Sequence, residues 1–188
     1  ALIEVGQQAP GFSFTNQDGA TVSLDDHAGK YVFLVVSEGR HRRVNDEGNG
    51  FRDRIQAFND KNAVILGVSF DTPGDNKAFK DKFSFPYDLC SDVDKAASVT
   101  YGAVADASAA RPTRVSVLIG PDGKVAAAYA TVKPADHPDE VLADLDRLGE
   151  ENDLFGKAGR ADGASRFFVY MPFPNLTAFS GLPEQVRQ

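Results

Sequence analysis

Two continuous apolar runs, separated by a segment with helical spacing, dominate the first third of the chain. The runs YVFLVV (31–36) and AVILGVSF (63–70) predict two strands buried on both faces of a sheet. Between them, residues 46–60 place apolar side chains at intervals of three and four, as an amphipathic helix does. Strand, helix and strand in this order predict a right-handed βαβ unit with a parallel pair.

Two further regions alternate apolar and polar residues around glycine-containing turns. Residues 5–30 alternate on either side of NQDG, where Gly19 supplies the positive φ that a hairpin turn requires. Residues 114–130 surround the turn GPDG and predict a second antiparallel hairpin. Together with the parallel pair, the hairpins predict a central mixed sheet.

Helix start and stop signals mark three further segments. Thr72 followed by Pro73 predicts a capped helix start, and Asp92 is a cap candidate for another short helix. A longer helix starts at Asp136 or Asp139 and is predicted to end at Gly149. With helices on both faces of the central sheet, the pattern predicts an α/β fold.

The composition of the chain changes at about residue 150. Residues 1–149 hold the elements above and predict one domain, whereas ENDLFGKAGRADGAS is typical of a linker. The apolar end RFFVYMPFPNLTAFSGLP is too often interrupted by proline for a helix or a central strand. We expect residues 150–188 to form an extension that packs on this domain or on a partner subunit, so a monomer and a homodimer both stay open.

Charge and cysteine count limit the classes of function. The 188 residues carry a net charge of −7, which argues against general binding to nucleic acid or to an anionic membrane. The single cysteine, Cys90, excludes an internal disulfide framework and a cysteine-based zinc site. No apolar run approaches the roughly 20 residues of a membrane span. We therefore expect a cytoplasmic protein with no metal and no other cofactor.

The order of the elements and several sequence motifs resemble the peroxiredoxins, and among them the bacterioferritin-comigratory and plant Q-type group. The resemblance rests on VGQQAPGFSFTNQDGATVSLDDHAGKYVFLVV, on the stretch from Gly50 to Val104, and on RVSVLIGPDGKVAAAYA. It covers about residues 3–148. It implies a thioredoxin-like fold, membership of a family of antioxidant thiol peroxidases, and a catalytic loop after the first central strand.

The catalytic loop departs from the family pattern at its main positions. The family motif P-x-x-x-T-x-x-C falls on Ser37, His41 and Val44, so an aliphatic side chain stands where the resemblance implies the peroxidatic cysteine. Asn49 takes the place of the second, resolving cysteine. Because valine has no lone pair to attack a peroxide oxygen, thiol peroxidase chemistry is excluded at this position.

A helix start and several cations remain around this loop. Glu47 and Arg114 match residues that the family uses near its site, and His41 and Arg114 are the candidate catalytic residues. Helix N-terminal N–H groups and guanidinium groups favour a carboxylate, a phosphate or another small oxyanion. Arg114 has the alternative of a structural ion pair with Glu47, and the loop arginines have that of solvated surface charge. The candidate ligand-binding residues are Arg40, Arg43, Val44, Asn45, Glu47 and Arg114.

Three functions remain open, and the sequence does not decide whether the protein is an enzyme. A repurposed, cysteine-independent enzyme would bind a small anion and use His41 as a proton shuttle. A non-catalytic binding or scaffold protein would keep the fold and the anion pocket. An antioxidant oxidoreductase would need Cys90 as its nucleophile, although a free cysteine is more often a small buried hydrophobe.

Overall fold

The computed structural model describes residues 1–38, 42–130 and 133–158, with the backbone alone at 42–46 and 155–158. The chain divides into two compact units, Ala1–Asp153 and Leu154–Gln188. The site and the packing described below lie in the first unit. Most of the predicted extension at 150–188 is outside the described residues, so its role as a contact surface stays a prediction.

The strands of the described ranges form one mixed sheet in the order β2-β1-β5-β4-β3-β6-β7. β3, β4 and β5 are parallel, and the remaining neighbours are antiparallel, which confirms the predicted α/β class with a mixed sheet. The strands are β1 (Ser13–Thr15), β2 (Thr21–Ser23), β3 (Tyr31–Val36), β4 (Ala63–Ser69), β5 (Asp88–Ser91), β6 (Val115–Ile119) and β7 (Val125–Tyr129).

The helices differ from the sequence-based expectation at two points. The single helix predicted over 46–60 is two helices, because the backbone leaves helical geometry at Arg54 (φ −114°, ψ 12°). The last helix continues beyond Gly149, where a linker was predicted, and ends at Ala158. None of the described helices is long and apolar enough to cross a membrane. The helices are α1 (Arg42–Asp53), α2 (Ile55–Asp60), α3 (Pro73–Phe83), α4 (Ala96–Thr100) and α5 (His137–Ala158).

Side-chain oxygens accept hydrogen bonds from amides in the first turns of α3 and α4. The Thr72 hydroxyl accepts from the backbone N–H of Asp75 at 3.2 Å and caps α3, as predicted. The N-cap residue of α4 is Lys95 and not Asp92, and its side chain makes no cap hydrogen bond. The Asp92 carboxylate, from outside the cap position, accepts from the backbone N–H of Ser98 at 2.8 Å and so satisfies an amide that the helix itself leaves unpaired.

Two apolar layers lie on opposite faces of the sheet, because successive side chains of a strand point to opposite sides. In β3, Val32 and Leu34 belong to one layer, and Phe33 belongs to the other. Phe33 packs against the rings of Phe51 and Phe58, with centroid distances of 5.3 and 6.4 Å, and so fixes α1 and α2 on its face. All three phenylalanines are at most 1% exposed, and full burial of each contributes roughly 1.5–3 kcal/mol.

Candidate functional site

The start of α1 carries the candidate residues of the loop. Val44, at the position where the family resemblance implies the peroxidatic cysteine, is the third residue of α1. Arg40 and His41 lie outside the described residues, and so do the side chains of Arg43, Val44 and Asn45. The roles predicted for these five residues remain predictions.

Glu47 and Arg114 form the centre of the described part of the site. Nη1 of Arg114 donates a hydrogen bond to Oε2 of Glu47 at 2.8 Å. The Glu47 side chain is 2% exposed and the Arg114 side chain is 20% exposed. Because Glu47 lies in α1 and Arg114 directly precedes β6, the ion pair joins this helix to the sheet. The structural ion pair that was the alternative role for Arg114 is therefore present.

The pKa of Glu47 reflects two opposing effects. Burial raises the pKa of the carboxyl above its ordinary value, and the positive charge of Arg114 lowers it. Oε1 of Glu47 is buried and has no hydrogen-bond partner among the described residues. Among the described residues, Oε2 of Glu47 is thus hydrogen-bonded and Oε1 is not.

His137, a buried histidine that the sequence analysis did not select, lies close to this second oxygen. Its Nε2 is 4.0 Å from Oε1 of Glu47 and 3.1 Å from Oγ of Ser116, and its Nδ1 is 3.2 Å from Oε2 of Glu140. The ring packs against the aromatic rings of Phe33, Phe51 and Tyr129. Burial lowers the pKa of His137, and the hydrogen bond to Glu140 acts in the opposite direction.

Ser116, His137 and Glu140 have the connectivity of a serine nucleophile, a base and an orienting acid. However, Ser116 and His137 are both 0% exposed, so no substrate reaches the hydroxyl. Nucleophilic catalysis requires a site beside the nucleophile for the reacting atom. We therefore interpret these three residues as a buried polar network that holds the start of α5 against the sheet. No sequence motif links His137 to Glu47, so only the fold reveals their proximity.

Cys90 lies on the face of the sheet opposite to α1. It belongs to the layer that contains Val32 and Leu34, and it is 0% exposed. Burial raises the pKa of the Cys90 thiol to about 12, and the charge of Asp88 raises it further. Because the thiolate is the nucleophilic form, these features contradict the alternative in which Cys90 reduces peroxide.

Asn49, at the position of the resolving cysteine, is partly buried in α1. Its Oδ1 is buried without a hydrogen-bond partner in the described part of the chain. Within that part, no three His, Cys, Asp or Glu side chains are grouped closely enough to hold a metal ion.

Comparison with known proteins supports a family assignment. The model of the AhpC/TSA family matches residues 5–128. "Peroxiredoxin Q, chloroplastic" from Suaeda salsa is 31% identical over 150 residues, which are 79% of this chain and 70% of that protein. "Peroxiredoxin Bcp" from Bacillus subtilis is 29% identical over 159 residues, which are 79% of this chain and 99% of that protein.

A solved structure of a related protein has the same fold as this chain. The bacterioferritin comigratory protein of Xanthomonas campestris, whose structures were solved to study its alkyl peroxide reduction activity, is 27% identical to this chain. The two superpose with a TM-score of 0.70 over 79% of this chain and 98% of the other.

Proposed function

The chain belongs to the AhpC/TSA family of peroxiredoxins, and on this premise we propose that it is a member that has lost thiol peroxidase chemistry and binds a small oxyanion where α1 begins. The loss of thiol peroxidase chemistry is inferred from where cysteine does and does not occur in the chain. Valine stands at the peroxidatic position, and the only cysteine of the chain is fully buried on the other face of the sheet. Neither residue supplies a thiolate to a peroxide.

Arg114 and the helix start support the second part. The Arg114 side chain is 20% exposed while its Nη1 pairs with Glu47, which is consistent with access for a small anion. A helix N-terminus stabilises a nearby negative charge by about 0.3–1 kcal/mol, and a hydrogen bond to a charged group contributes about 1.5–3 kcal/mol. Their sum, about 2–4 kcal/mol, corresponds to a dissociation constant in the millimolar range or weaker.

Binding is the proposed role, because the ring of His137, the described histidine beside Glu47, is 0% exposed and is not accessible to a ligand. The enzyme alternative depends on His41, which lies outside the described residues, and no described feature favours it. A binding or scaffold protein requires only the ion-paired Arg114 and the start of α1.

The proposal is tested by titrating the full chain with inorganic phosphate and following backbone amide shifts by NMR. We expect saturable shifts in α1 and at the start of β6, and at least about fivefold weaker binding in Arg114→Gln, because the charge-assisted hydrogen bond is lost. Arg111→Gln is the matched control, because it also removes one arginine charge. The Arg111 side chain is 65% exposed, and its Nη1 lies 3.8 Å from Oε2 of Glu38. Equal affinity in the two variants, or shifts that do not saturate, would contradict the proposal.

A further inference from the structure

The Glu47 carboxyl group lies between two basic side chains that come from different elements. Its Oε2 accepts a hydrogen bond from Nη1 of Arg114 at 2.8 Å, and its Oε1 lies 4.0 Å from Nε2 of His137. Glu47 belongs to α1, Arg114 directly precedes β6, and His137 begins α5. The side chains of Glu47 and His137 are 2% and 0% exposed. The two carboxyl oxygens therefore face protein groups, and these groups decide the charge of Glu47.

The hydrogen bonds of the His137 ring determine what Oε1 of Glu47 meets. Nδ1 of the ring lies 3.2 Å from Oε2 of Glu140, and an ionised carboxylate only accepts hydrogen bonds. Nδ1 therefore carries the proton of the neutral ring, and Nε2 is an acceptor. The hydroxyl of Ser116 then donates to Nε2 at 3.1 Å. Oε1 of Glu47 thus faces an acceptor.

An ionised Glu47 leaves two acceptors facing each other in the interior of the protein. Oε1 is buried and has no hydrogen-bond partner among the described residues, and 4.0 Å is too long for a hydrogen bond to Nε2 of His137. A proton on Oε1 turns one of the two acceptors into a donor, so the geometry favours the protonated carboxyl. Burial favours it as well, because it raises the pKa of Glu47, while the charge of Arg114 lowers it.

Several charged groups act on the His137 ring. Burial is the largest effect and lowers its pKa, the hydrogen bond and the charge of Glu140 raise it, Arg114 lowers it, and Asp144 raises it. The net effect is a pKa below the ordinary value of 6.5. Because burial disfavours a charged ring and also disfavours a charged carboxyl, we assign the exchangeable proton of this pair to Glu47.

Tyr87, which directly precedes β5, is a further titratable group affected by Glu47. Burial raises the pKa of Tyr87, and the negative charge of Glu47 raises it further, while Arg52 of α1 lowers it. The phenol is therefore neutral wherever the carboxyl titrates. It adds no charge to the surroundings of Glu47.

The protonation state of Glu47 changes the charge that Arg114 presents to an anion. An ionised carboxylate compensates the positive guanidinium, and a protonated carboxyl does not. The Arg114 side chain is 20% exposed, so the difference extends to an anion bound at its exposed part. Proton uptake by Glu47 thus strengthens anion binding, and a bound anion in turn strengthens proton uptake.

We propose that Glu47 is a proton switch for the oxyanion site: a proton on Oε1, facing Nε2 of His137, removes the negative charge beside Arg114 and tightens oxyanion binding as the pH falls. This switch presupposes the proposed oxyanion site, which it places under the control of pH. The carboxyl takes up its proton as the pH falls through its folded pKa, which lies above the ordinary value of 4.5. Tight binding is therefore expected on the acidic side of this pKa, and release on the alkaline side.

The test is a titration of the full chain with sodium sulfate between about pH 7.5 and pH 5, at constant ionic strength, followed by backbone amide shifts. Sulfate is the probe because, unlike phosphate, it keeps its charge across this range. A change in affinity then reports on the protein alone. We expect the affinity to rise at least about fivefold from the alkaline to the acidic end, as for a typical coupling between two sites.

Glu47→Gln is the decisive variant, because glutamine resembles the protonated carboxyl and does not titrate. At the alkaline end it should bind sulfate within about twofold of the affinity that the unmodified chain reaches at the acidic end, and most of the pH dependence should be lost. Any titration of His41 is common to both proteins, so their difference isolates Glu47. Glu151→Gln is the matched control: it removes an exposed carboxylate, paired with Arg147, and should keep the pH dependence.

The chemical shift of the Glu47 carboxyl carbon, measured by NMR on the unmodified chain, gives a second readout that needs no variant. The midpoint of its titration should move to higher pH in the presence of sulfate, because the anion and the proton favour each other. If Glu47→Gln does not fold, this shift of the midpoint decides the question alone.

The possible failures of the switch and of the site are distinguishable. Saturable sulfate binding with the same pH dependence in the unmodified chain and in Glu47→Gln would overturn the switch and leave the oxyanion site in place. A Glu47 midpoint that sulfate does not move would do the same. Sulfate shifts that do not saturate at any pH would overturn the oxyanion site and the switch together.

Discussion

Nη1 of Arg114 lies 2.8 Å from Oε2 of Glu47, and this hydrogen bond joins the residue before β6 to a buried position in α1. The same arginine is the principal cation of the proposed oxyanion site. An anion at the start of α1 must therefore share the guanidinium with Glu47 and does not meet an isolated charge. We therefore expect an oxyanion to bind weakly at the start of α1.

Loss of the Arg114 charge should destabilise the fold. Arg114→Gln removes the cation that pairs with the buried carboxylate of Glu47, and we expect the free energy of unfolding to fall by about 2–3 kcal/mol. This is below the full cost of breaking a buried pair, because Arg114 is 20% exposed. Urea unfolding measures the change. Glu151→Gln, which removes the exposed pair with Arg147, should change stability by less than about 0.5 kcal/mol. Similar losses in both variants would show that the buried pair has no special role.

Acidification should weaken the fold through His137. Glu47, Arg114, Glu140 and Asp144 all affect this ring, and burial makes its folded pKa lower than the ordinary value of 6.5. The unfolded chain therefore takes up the proton first as the pH falls. The stabilisation that His137 provides is present above about pH 6.5 and is lost as the pH falls toward its folded pKa, with a slope of at most about 1.4 kcal/mol per pH unit.

The comparison with His137→Gln isolates this contribution. Urea unfolding of both proteins between about pH 7.5 and pH 5.5 should show a stability difference that shrinks as the pH falls. The raised pKa of Glu47 acts in the opposite direction, because its contribution is full below about pH 4.5 and declines as the pH rises. Glu47 is present in both proteins, so to first order its effect cancels. A difference that stays constant with pH would mean that His137 is not held neutral by the fold.

A methyl group at Gly48 should destabilise the packing under α1. A Cβ there would lie 2.8 Å from Cζ of Phe85 and 3.1 Å from the hydroxyl oxygen of Tyr87. Overpacking of this kind costs about 1–3 kcal/mol, and the better helix propensity of alanine returns up to about 1 kcal/mol. We expect Gly48→Ala to lower the melting temperature, whereas the unobstructed Gly149→Ala should raise it slightly. Equal behaviour of the two variants would contradict the described contact.

The Cys90 thiol should be unreactive in the folded protein. Its burial and its pKa of about 12 leave almost no thiolate at pH 8. Ellman's reagent should therefore release no colour from the native chain, but one equivalent after unfolding in urea. Rapid labelling of the native chain would contradict the placement of Cys90 in the core.

Sequence patterns predicted the strands and helix starts that are determined by residues adjacent in the chain. The apolar runs gave β3 without error and β4 to within one residue, and the Thr72 hydroxyl caps α3 as expected. β5 was not predicted, because it has only four residues and is defined by its pairing with β4 and β1. Gly149 does not end α5, since a single glycine in a helix costs only about 1 kcal/mol and is followed by good helix formers.

The same distinction between local sequence signals and long-range packing applies to the residues of the site. The family resemblance assigned Glu47 and Arg114 to one site, and the structure confirms that their side chains are in contact. His137 and Ser116 were missed, because long-range packing of α5 on β6 places them beside Glu47.

Thiol-dependent consumption of peroxide tests the central claim most directly. The full chain is incubated with hydrogen peroxide and dithiothreitol, beside Cys90→Ser and beside Val44→Cys, which returns a sulfur to the start of α1. The account predicts that the unmodified chain and Cys90→Ser match the rate without protein, while Val44→Cys consumes peroxide. Sustained turnover by the unmodified chain, and above all turnover that survives Cys90→Ser, would contradict it.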